Sequence, residues 1–278
     1  LVALTSDQLG GIDANALNNL STANLSVLSA GQLYGLTATQ IMALSTSKLA
    51  AFNGDQIAAI GATLTQSLTT DQFAAVPTDK LSTWSSAQIN ALTTDQFGVI
   101  DTDQLKALTP DQISALSTNN VQLLSTDQIQ LLSSDQLRGM NTAQIASLTL
   151  DDVAILTTNQ LTNMYASQVG ALTTDQASAL TSQQISLLTT KQLRGVSAGQ
   201  IAALSSSQVI GLNAQQLPAL NSAQLQAINT ASFSALGTDQ LALLSAAQFA
   251  SLTTQQVAAM STLQASKLNS SQIASLSN

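Results

Sequence analysis

The chain has 278 residues and a net charge of −8, with 15 acidic groups that are all Asp, seven basic groups, and neither His nor Cys. The missing His and Cys exclude disulfides, thiol chemistry, the usual zinc sites and any Ser-His-Asp triad. Seven Lys and Arg cannot neutralise a phosphate backbone, so we expect no nucleic-acid partner. No apolar stretch approaches the roughly 20 residues that span a bilayer, so we expect no membrane insertion.

Large apolar residues recur every eight positions from Leu4 onward, without an insertion or deletion. We label the positions of this octad as columns a to h, with the recurring residue in column a. Column f is a second apolar column, interrupted at Thr65, Ala177 and Ala265. Column h is mostly Ala, Gly or Ser, which predicts a close approach of chain segments there. The unbroken register predicts a single continuous repeat domain over residues 1–278, with about 34 octads.

The spacing of the apolar columns predicts one short helix per octad. Column f and the next column a are three residues apart, which is a helical step, whereas a strand would place them on opposite faces. One unbroken helix is excluded because eight residues at about 100° each would turn the apolar stripe by roughly 80° per octad. Each helix therefore runs from column c to the next column a and then ends.

Columns b and e supply the helix starts. In column b, 31 of 35 residues are Ser, Thr, Asn or Asp, and in column e, 26 of 34 are Gln. This spacing is a capping box, in which the b side chain and the e side chain each accept from the other residue's main-chain amide. Pro110 in column c and 12 of the 15 Asp in column d also suit a first helical turn. The predicted caps in the clearest octads are Thr93, Gln96, Ser125, Gln128, Ser133 and Gln136. The predicted core anchors of the same region are Leu92, Phe97, Leu124, Ile129, Leu132 and Leu137.

A two-turn helix is unstable alone, so the anchors must form a continuous core between stacked coils. The predicted fold is therefore an all-α repeat solenoid with about three or four octads per coil. Four large column-h residues share one phase of a 32-residue period, which favours four octads. They are Val27, Leu123, Ile155 and Leu187. Three others break that phase and leave a 24-residue coil open; these are Val99, Leu131 and Leu243.

Several octads depart from the pattern. Residues 10–27 and 61–67 are the most degenerate stretches, and Pro77 and Tyr165 occupy cap positions. Pro218 in column g is expected to distort its helix because proline lacks an amide hydrogen.

The column-d carboxylates have two interpretations. Carboxylates on adjacent coils suit calcium, which makes a calcium role the alternative for Asp95, Asp103, Asp111, Asp127 and Asp135. No Asp-x-Asp-x-Asp-Gly loop occurs, so stabilisation of the helix dipole is the favoured role and no metal or other cofactor is predicted. The repeat also singles out no unique constellation of catalytic groups, so we expect no enzyme.

The sequence Leu-Thr-Thr-Asp-Gln, at Leu92 to Gln96 and again at Leu172 to Gln176, resembles the tandem repeats of very large secreted or surface proteins of bacteria, of the adhesin or haemagglutinin type. The resemblance covers nearly the whole chain. It implies an extracellular or cell-surface location and a scaffold role, and it carries over no catalytic residue.

These observations leave two functional hypotheses. The first is an extracellular structural protein, which forms a rod, a stalk or a filament subunit. Because Leu1 and Leu276 keep the anchor pattern at both ends of the sequence, we expect end-to-end self-association or stacking on other segments of a larger chain. The second is a multivalent adhesive module that presents Ser, Thr, Gln and Asp arrays to a glycan, a surface or ice.

Overall fold

The computed structural model describes residues 1–276, which form 32 short α-helices and one 3-10 helix and contain no β-strand. The all-α prediction with one short helix per octad is therefore confirmed. The chain divides into two compact units, Leu1–Met140 and Asn141–Asn278. Each unit is described by itself.

The described helices of the first unit start eight residues apart almost throughout. They are α1 (Ser6–Gly10), α2 (Ala14–Asn18), α3 (Thr22–Ser26), α4 (Ala30–Leu33), α5 (Ala38–Ala43), α6 (Thr46–Ala50), α7 (Gly54–Thr65), α8 (Thr70–Ala74), α9 (Thr78–Leu81), α10 (Ser86–Asn90), α11 (Thr94–Phe97), α12 (Thr102–Ala107), α13 (Pro110–Ala115), α14 (Thr118–Val121), α15 (Thr126–Leu131) and α16 (Ser134–Gly139).

The second unit continues the same pattern. Its described helices are α17 (Thr142–Ser147), α18 (Leu150–Ala154), α19 (Thr158–Asn163), α20 (Ala166–Ala171), α21 (Thr174–Ala179), α22 (Ser182–Leu187), α23 (Thr190–Gly195), α24 (Ala198–Ala202), α25 (Ser206–Ile210), the 3-10 helix (Leu217–Ala219), α26 (Ser222–Ala227), α27 (Thr230–Ser234), α28 (Thr238–Ala242), α29 (Ala246–Ala250), α30 (Thr254–Ala258), α31 (Thr262–Ser266) and α32 (Ser270–Ser275). Pro218 lies inside the 3-10 helix, where the other octads have α-helix, as its missing amide hydrogen predicts.

Helix α13 shows how an octad starts and stops. Thr109 is extended (φ −71°, ψ 160°), and its side chain accepts a hydrogen bond from the Gln112 amide, while Pro110 takes the first helical position. Leu116 returns to extended geometry (φ −60°, ψ 141°) directly after the last helical residue. The extended residues in columns a and b therefore form a corner between successive helices.

Three octads make one coil. Helix α13 packs on α16 in the first unit, and α20 packs on α23 in the second. The first residues of α13 and α16, Pro110 and Ser134, are 24 positions apart. The interpretation of four octads per coil is wrong, because the helices that pack on each other are three octads apart. The residues that favoured it do not mark an inner position: Val27 is 55% exposed and Leu123 is 47% exposed.

The core is built from columns a and f of stacked coils. The structure places all six predicted anchors among the buried residues; they are Leu92, Phe97, Leu124, Ile129, Leu132 and Leu137. Phe52 and Trp84 in column a are buried as well. The Trp84 ring contacts Phe73, with ring centroids 5.9 Å apart. Within each unit, helices thus share their apolar stripe with the helices of neighbouring coils, which supplies the stability that a short helix lacks alone.

Column h is small because the preceding coil comes close to it. A Cβ atom added to Gly195 would lie 2.6 Å from the carbonyl oxygen of Ala166, at the start of the helix in the preceding coil. Gly139 faces Pro110 in the same way, with its added Cβ 2.6 Å from the Pro110 carbonyl oxygen. Because both neighbours are main-chain atoms, the coils must separate to admit even a methyl group.

We therefore expect Gly195→Ala to lower the free energy of unfolding by about 1–3 kcal/mol, the usual effect of overpacking. Gly199→Ala is the matched control, because its added Cβ has no atom closer than 3.8 Å. The control should be neutral or slightly stabilising, since Ala favours helix over Gly. Urea unfolding followed by circular dichroism checks both, and equal effects of the two substitutions would contradict this account of column h.

Candidate functional site

The column-e glutamines form the most regular polar feature of the structure. Gln112 is 3% exposed, and its side-chain oxygen and nitrogen are both hydrogen-bonded. Its Oε1 accepts from the Thr109 amide (2.8 Å), and its own amide donates to Thr109 Oγ1 (3.2 Å). These two bonds are the predicted capping box.

The side-chain amide of Gln112 also reaches the preceding coil. Its Nε2 donates to the carbonyl oxygens of Leu81 (2.9 Å) and Trp84 (2.8 Å), which lie 31 and 28 residues earlier. The Leu81 carbonyl at the end of helix α9 also accepts from the Trp84 amide (3.1 Å), so the glutamine adds a second bond there. The Trp84 carbonyl lies beyond the helix end and accepts from the glutamine, which satisfies an acceptor of the kind that a helix end leaves unpaired. One side chain therefore caps its own helix and binds the coil before it.

The same pair of bonds, to residues 31 and 28 positions earlier, recurs along both units. We call this series the glutamine ladder. In the first unit its other members are Gln32, Gln40, Gln56, Gln72, Gln96, Gln104 and Gln136. In the second unit they are Gln176, Gln184, Gln192, Gln200, Gln208, Gln216, Gln224, Gln256 and Gln272.

Sequence reasoning found the capping boxes but missed the bonds between coils. The structure places Thr93 with Gln96, Ser125 with Gln128, and Ser133 with Gln136 in capping boxes at the starts of three helices. The missed signal is the absence of Glu. Either Glu or Gln can close a capping box, yet column e contains 26 Gln and no Glu. Only an amide also carries the N–H groups that the preceding carbonyls need.

The column-d carboxylates lie in the first turns of their helices. Asp95, Asp103, Asp111, Asp127 and Asp135 are exposed, each in the first turn of its helix. Within residues 1–276, no group of three or more acidic side chains is arranged to hold a metal ion. Their position at helix N-termini fits stabilisation of the helix dipole.

Asp152 is an exception in column e. It is 3% exposed, and its Oδ2 accepts from the Thr149 amide (2.9 Å). Its Oδ1 has no hydrogen-bond partner in the part of the chain that the structure describes. A buried oxygen that makes no hydrogen bond is destabilising by about 1–3 kcal/mol.

We expect Asp152→Asn to raise the free energy of unfolding by about 1–3 kcal/mol at neutral pH, because an amide keeps the cap acceptor and adds a donor. Asp151→Asn is the control, since the neighbouring Asp151 is exposed in the first helical turn. The control should be slightly destabilising, by about 0.3–1 kcal/mol, through loss of charge near the helix dipole. Thermal unfolding checks the opposite signs, and a destabilised Asp152→Asn variant would contradict the account.

The interior offers no room for a ligand near its weakest anchor. The cavity beside Ala177 is lined mostly by apolar side chains and measures about 10 Å³, about the space of one water molecule. None of the helices in residues 1–276 is long and apolar enough to cross a membrane.

Comparison with known proteins identifies the repeat. The family model for the ALTTAQ repeat matches residues 97–134 and again residues 217–254. The chain is a tandem-repeat protein. Both matches begin in column f, and together they cover less than half of the chain. The six letters of the repeat name correspond to columns h to e, as in Ala107 to Gln112 of this tandem-repeat protein. No curated protein matches the chain.

Proposed function

We propose that this tandem-repeat protein is an extracellular structural protein that serves as a stalk or as a filament subunit. The observation that carries the proposal is the glutamine ladder. The polar side chain that the repeat places most consistently at one position, the column-e Gln, is buried and used to bind one coil to the next, as at Gln112. A repeat whose main polar side chain serves coil stacking is suited to a scaffold.

The acceptors of the ladder are main-chain carbonyls, which every octad carries whatever its side chains. Any octad with a column-e Gln can therefore stack on any other octad, and the length of the array can change without a new contact. This property suits a protein whose role depends on its length. The same stacking makes other segments of a larger chain, or other copies, the proposed partners.

Composition and resemblance support the extracellular location. The chain has no Cys that oxidation outside the cell would affect, and only seven Lys and Arg at which trypsin-like proteases cut. Its Leu-Thr-Thr-Asp-Gln octads resemble repeats of large secreted or surface bacterial proteins of the adhesin or haemagglutinin type.

Single-molecule force spectroscopy tests the structural role. The chain is held by tags at both ends and extended. A coil of 24 residues lengthens by roughly 80 Å when fully extended, so we expect resisted steps in multiples of that length. Extension without resisted steps would contradict the proposal. Electron microscopy over a range of concentrations then separates a filament subunit, which forms filaments, from a stalk segment, which stays as discrete particles.

The multivalent binding module is the second candidate, and a row of hydroxyl groups in the first unit favours it. Columns b and c carry two hydroxyl residues at each of five positions spaced by 24, so they recur on the same side of five successive coils. The pairs are Ser21 and Thr22, Ser45 and Thr46, Thr69 and Thr70, Thr93 and Thr94, and Ser117 and Thr118. Most of these residues are exposed. A regular hydroxyl array suits a repeating ligand such as a glycan, a mineral surface or ice.

Stepwise substitution tests this candidate. Column-c Thr→Val changes are added one at a time along the row, and binding to ice or to immobilised polysaccharide is measured. Avidity should fall progressively, because many weak contacts add. The matched control changes the column-c residues Thr78, Thr102 and Thr126, which lie on another side of the coils. Equal effects of the two sets, or no binding by the parent chain, would contradict the candidate.

A further inference from the structure

The glutamine ladder of the first unit is interrupted twice within residues 61–83. A separate interruption at Lys48 keeps links to the preceding coil, because the Ser45 amide and Lys48 Nζ both donate to Asn18 Oδ1 (3.0 and 3.4 Å). We infer that the segment 61–83 opens before the following residues 86–116 and is a yield point built into the fold. The inference rests on the hydrogen bonds of the segment and does not depend on the proposed structural role.

The first interruption lies at Gly61, which occupies a cap position without a side chain to cap the next turn. Its backbone is left-handed (φ 65°, ψ 172°) and makes a kink inside α7. The column-e residue of this octad is Leu64, which has no side-chain amide that could donate to the preceding coil. Column f is Thr65, a polar residue in the anchor position, whose Oγ1 donates to the Gly61 carbonyl oxygen (2.7 Å). This octad therefore has no capping box and no bond from column e to the coil before it.

The second interruption lies two octads later. Pro77 occupies the cap position in ordinary extended geometry (φ −63°, ψ 146°), and no side-chain bond caps α9. Column e is Lys80. Within residues 1–276, no bond joins Lys80 to the carbonyls of Leu49 and Phe52, which lie at the 31- and 28-residue offsets of the ladder. Both interrupted octads thus lack the cap and the link at once.

The octads around them compensate only in part. Gln88 makes one bond to the preceding coil, from Nε2 to the Ile57 carbonyl oxygen (2.9 Å), where each ladder member makes the pair. Gln72 makes the full pair, to Ile41 and Leu44. Opening of residues 61–83 therefore breaks fewer bonds than opening of an equal length around Gln104 and Gln112. A segment held by fewer bonds opens locally at a lower free-energy cost.

The chain carries a reporter at this place. Trp84, the single Trp, is 4% exposed at the edge of the segment, and its indole N–H has no hydrogen-bond partner in the described structure. Opening of the segment removes the packing around this ring. Quenching of its fluorescence by acrylamide therefore measures the same event as amide exchange.

Hydrogen–deuterium exchange of the full chain, read by mass spectrometry, tests the inference. We expect amides of residues 61–83 to exchange at least about tenfold faster than those of residues 86–116. The repair variant Pro77→Ser with Lys80→Gln restores both missing groups on a backbone that already has cap geometry. It should slow exchange in residues 78–83 about tenfold and reduce acrylamide quenching of Trp84.

Lys106→Gln is the matched control, because it removes the same charge at an exposed column-g position outside the ladder. It should leave the exchange of residues 61–83 unchanged. Equal exchange of the two segments in the parent chain would overturn the inference. The inference would also be overturned if the repair variant slowed amide exchange in residues 78–83 no more than Lys106→Gln does.

Discussion

Gln112→Ala is expected to lower the free energy of unfolding by about 3–5 kcal/mol. The substitution removes the partner of two main-chain groups, the Thr109 amide and the Trp84 carbonyl, and one of the two bonds of the Leu81 carbonyl, which keeps the Trp84 amide. Each buried group that loses its hydrogen bond destabilises the fold by about 1–3 kcal/mol. The effect should appear as a lower midpoint in urea unfolding followed by Trp84 fluorescence.

Gln122→Ala provides the matched comparison for this prediction. Gln122 is ten residues away in column g, exposed, and its side chain is outside the ladder. Its replacement should change stability by less than about 0.5 kcal/mol, as for most exposed sites. If both Ala variants unfold at the same urea concentration, the column-e amides contribute nothing beyond a surface residue, and the account of coil stacking fails.

Gln96→Glu should make stability depend on pH, and this is the second large effect. The carboxyl keeps an acceptor for the Thr93 amide, but its other oxygen faces the carbonyls of Thr65 and Leu68, now 2.8 and 2.7 Å from the Gln96 Nε2. Burial and the two facing oxygens disfavour the charged form, so the pKa of the introduced carboxyl should rise in the folded state.

The direction of the pH effect follows from that rise. Below the ordinary glutamate pKa of about 4.3, the protonated carboxyl can donate in place of the amide, and the variant should be close to the parent in stability. As pH rises from there through the raised folded-state pKa, the contribution is lost, and above it the variant should be about 2–4 kcal/mol less stable. Gln122→Glu should show no such dependence. Parallel pH profiles of the two Glu variants in thermal unfolding would contradict the prediction.

The local structure could be predicted from the sequence because each octad carries its own start and stop signals. Thr109, Pro110 and Gln112 specify a capped helix start through local chemistry alone. Columns a and f, three residues apart, specify which face is buried. These features involve neighbours within eight residues, so one repeat suffices to show them.

The number of octads per coil could not be predicted in the same way. It depends on the angle at each corner, and the corner residues are of the same types in most octads. The large column-h residues misled the interpretation because Val27 and Leu123 lie outside the core. A better signal was the row of column-c threonines at Thr22, Thr46 and Thr70, which recur every 24 residues. Residues on the same side of successive coils can share a surface role and so recur once per coil. That longer recurrence is hidden when only the period of eight is considered.

Exchange of the glutamine side-chain NH₂ hydrogens, measured by NMR on the folded chain, tests the ladder most directly. The donors of Gln96, Gln104 and Gln112 are buried and bonded to the preceding coil. Their hydrogens should exchange at least about a hundredfold more slowly than those of the exposed Gln66 and Gln122. Exchange of all glutamine side chains at the rate of the exposed ones would show that the coils are not joined by these amides.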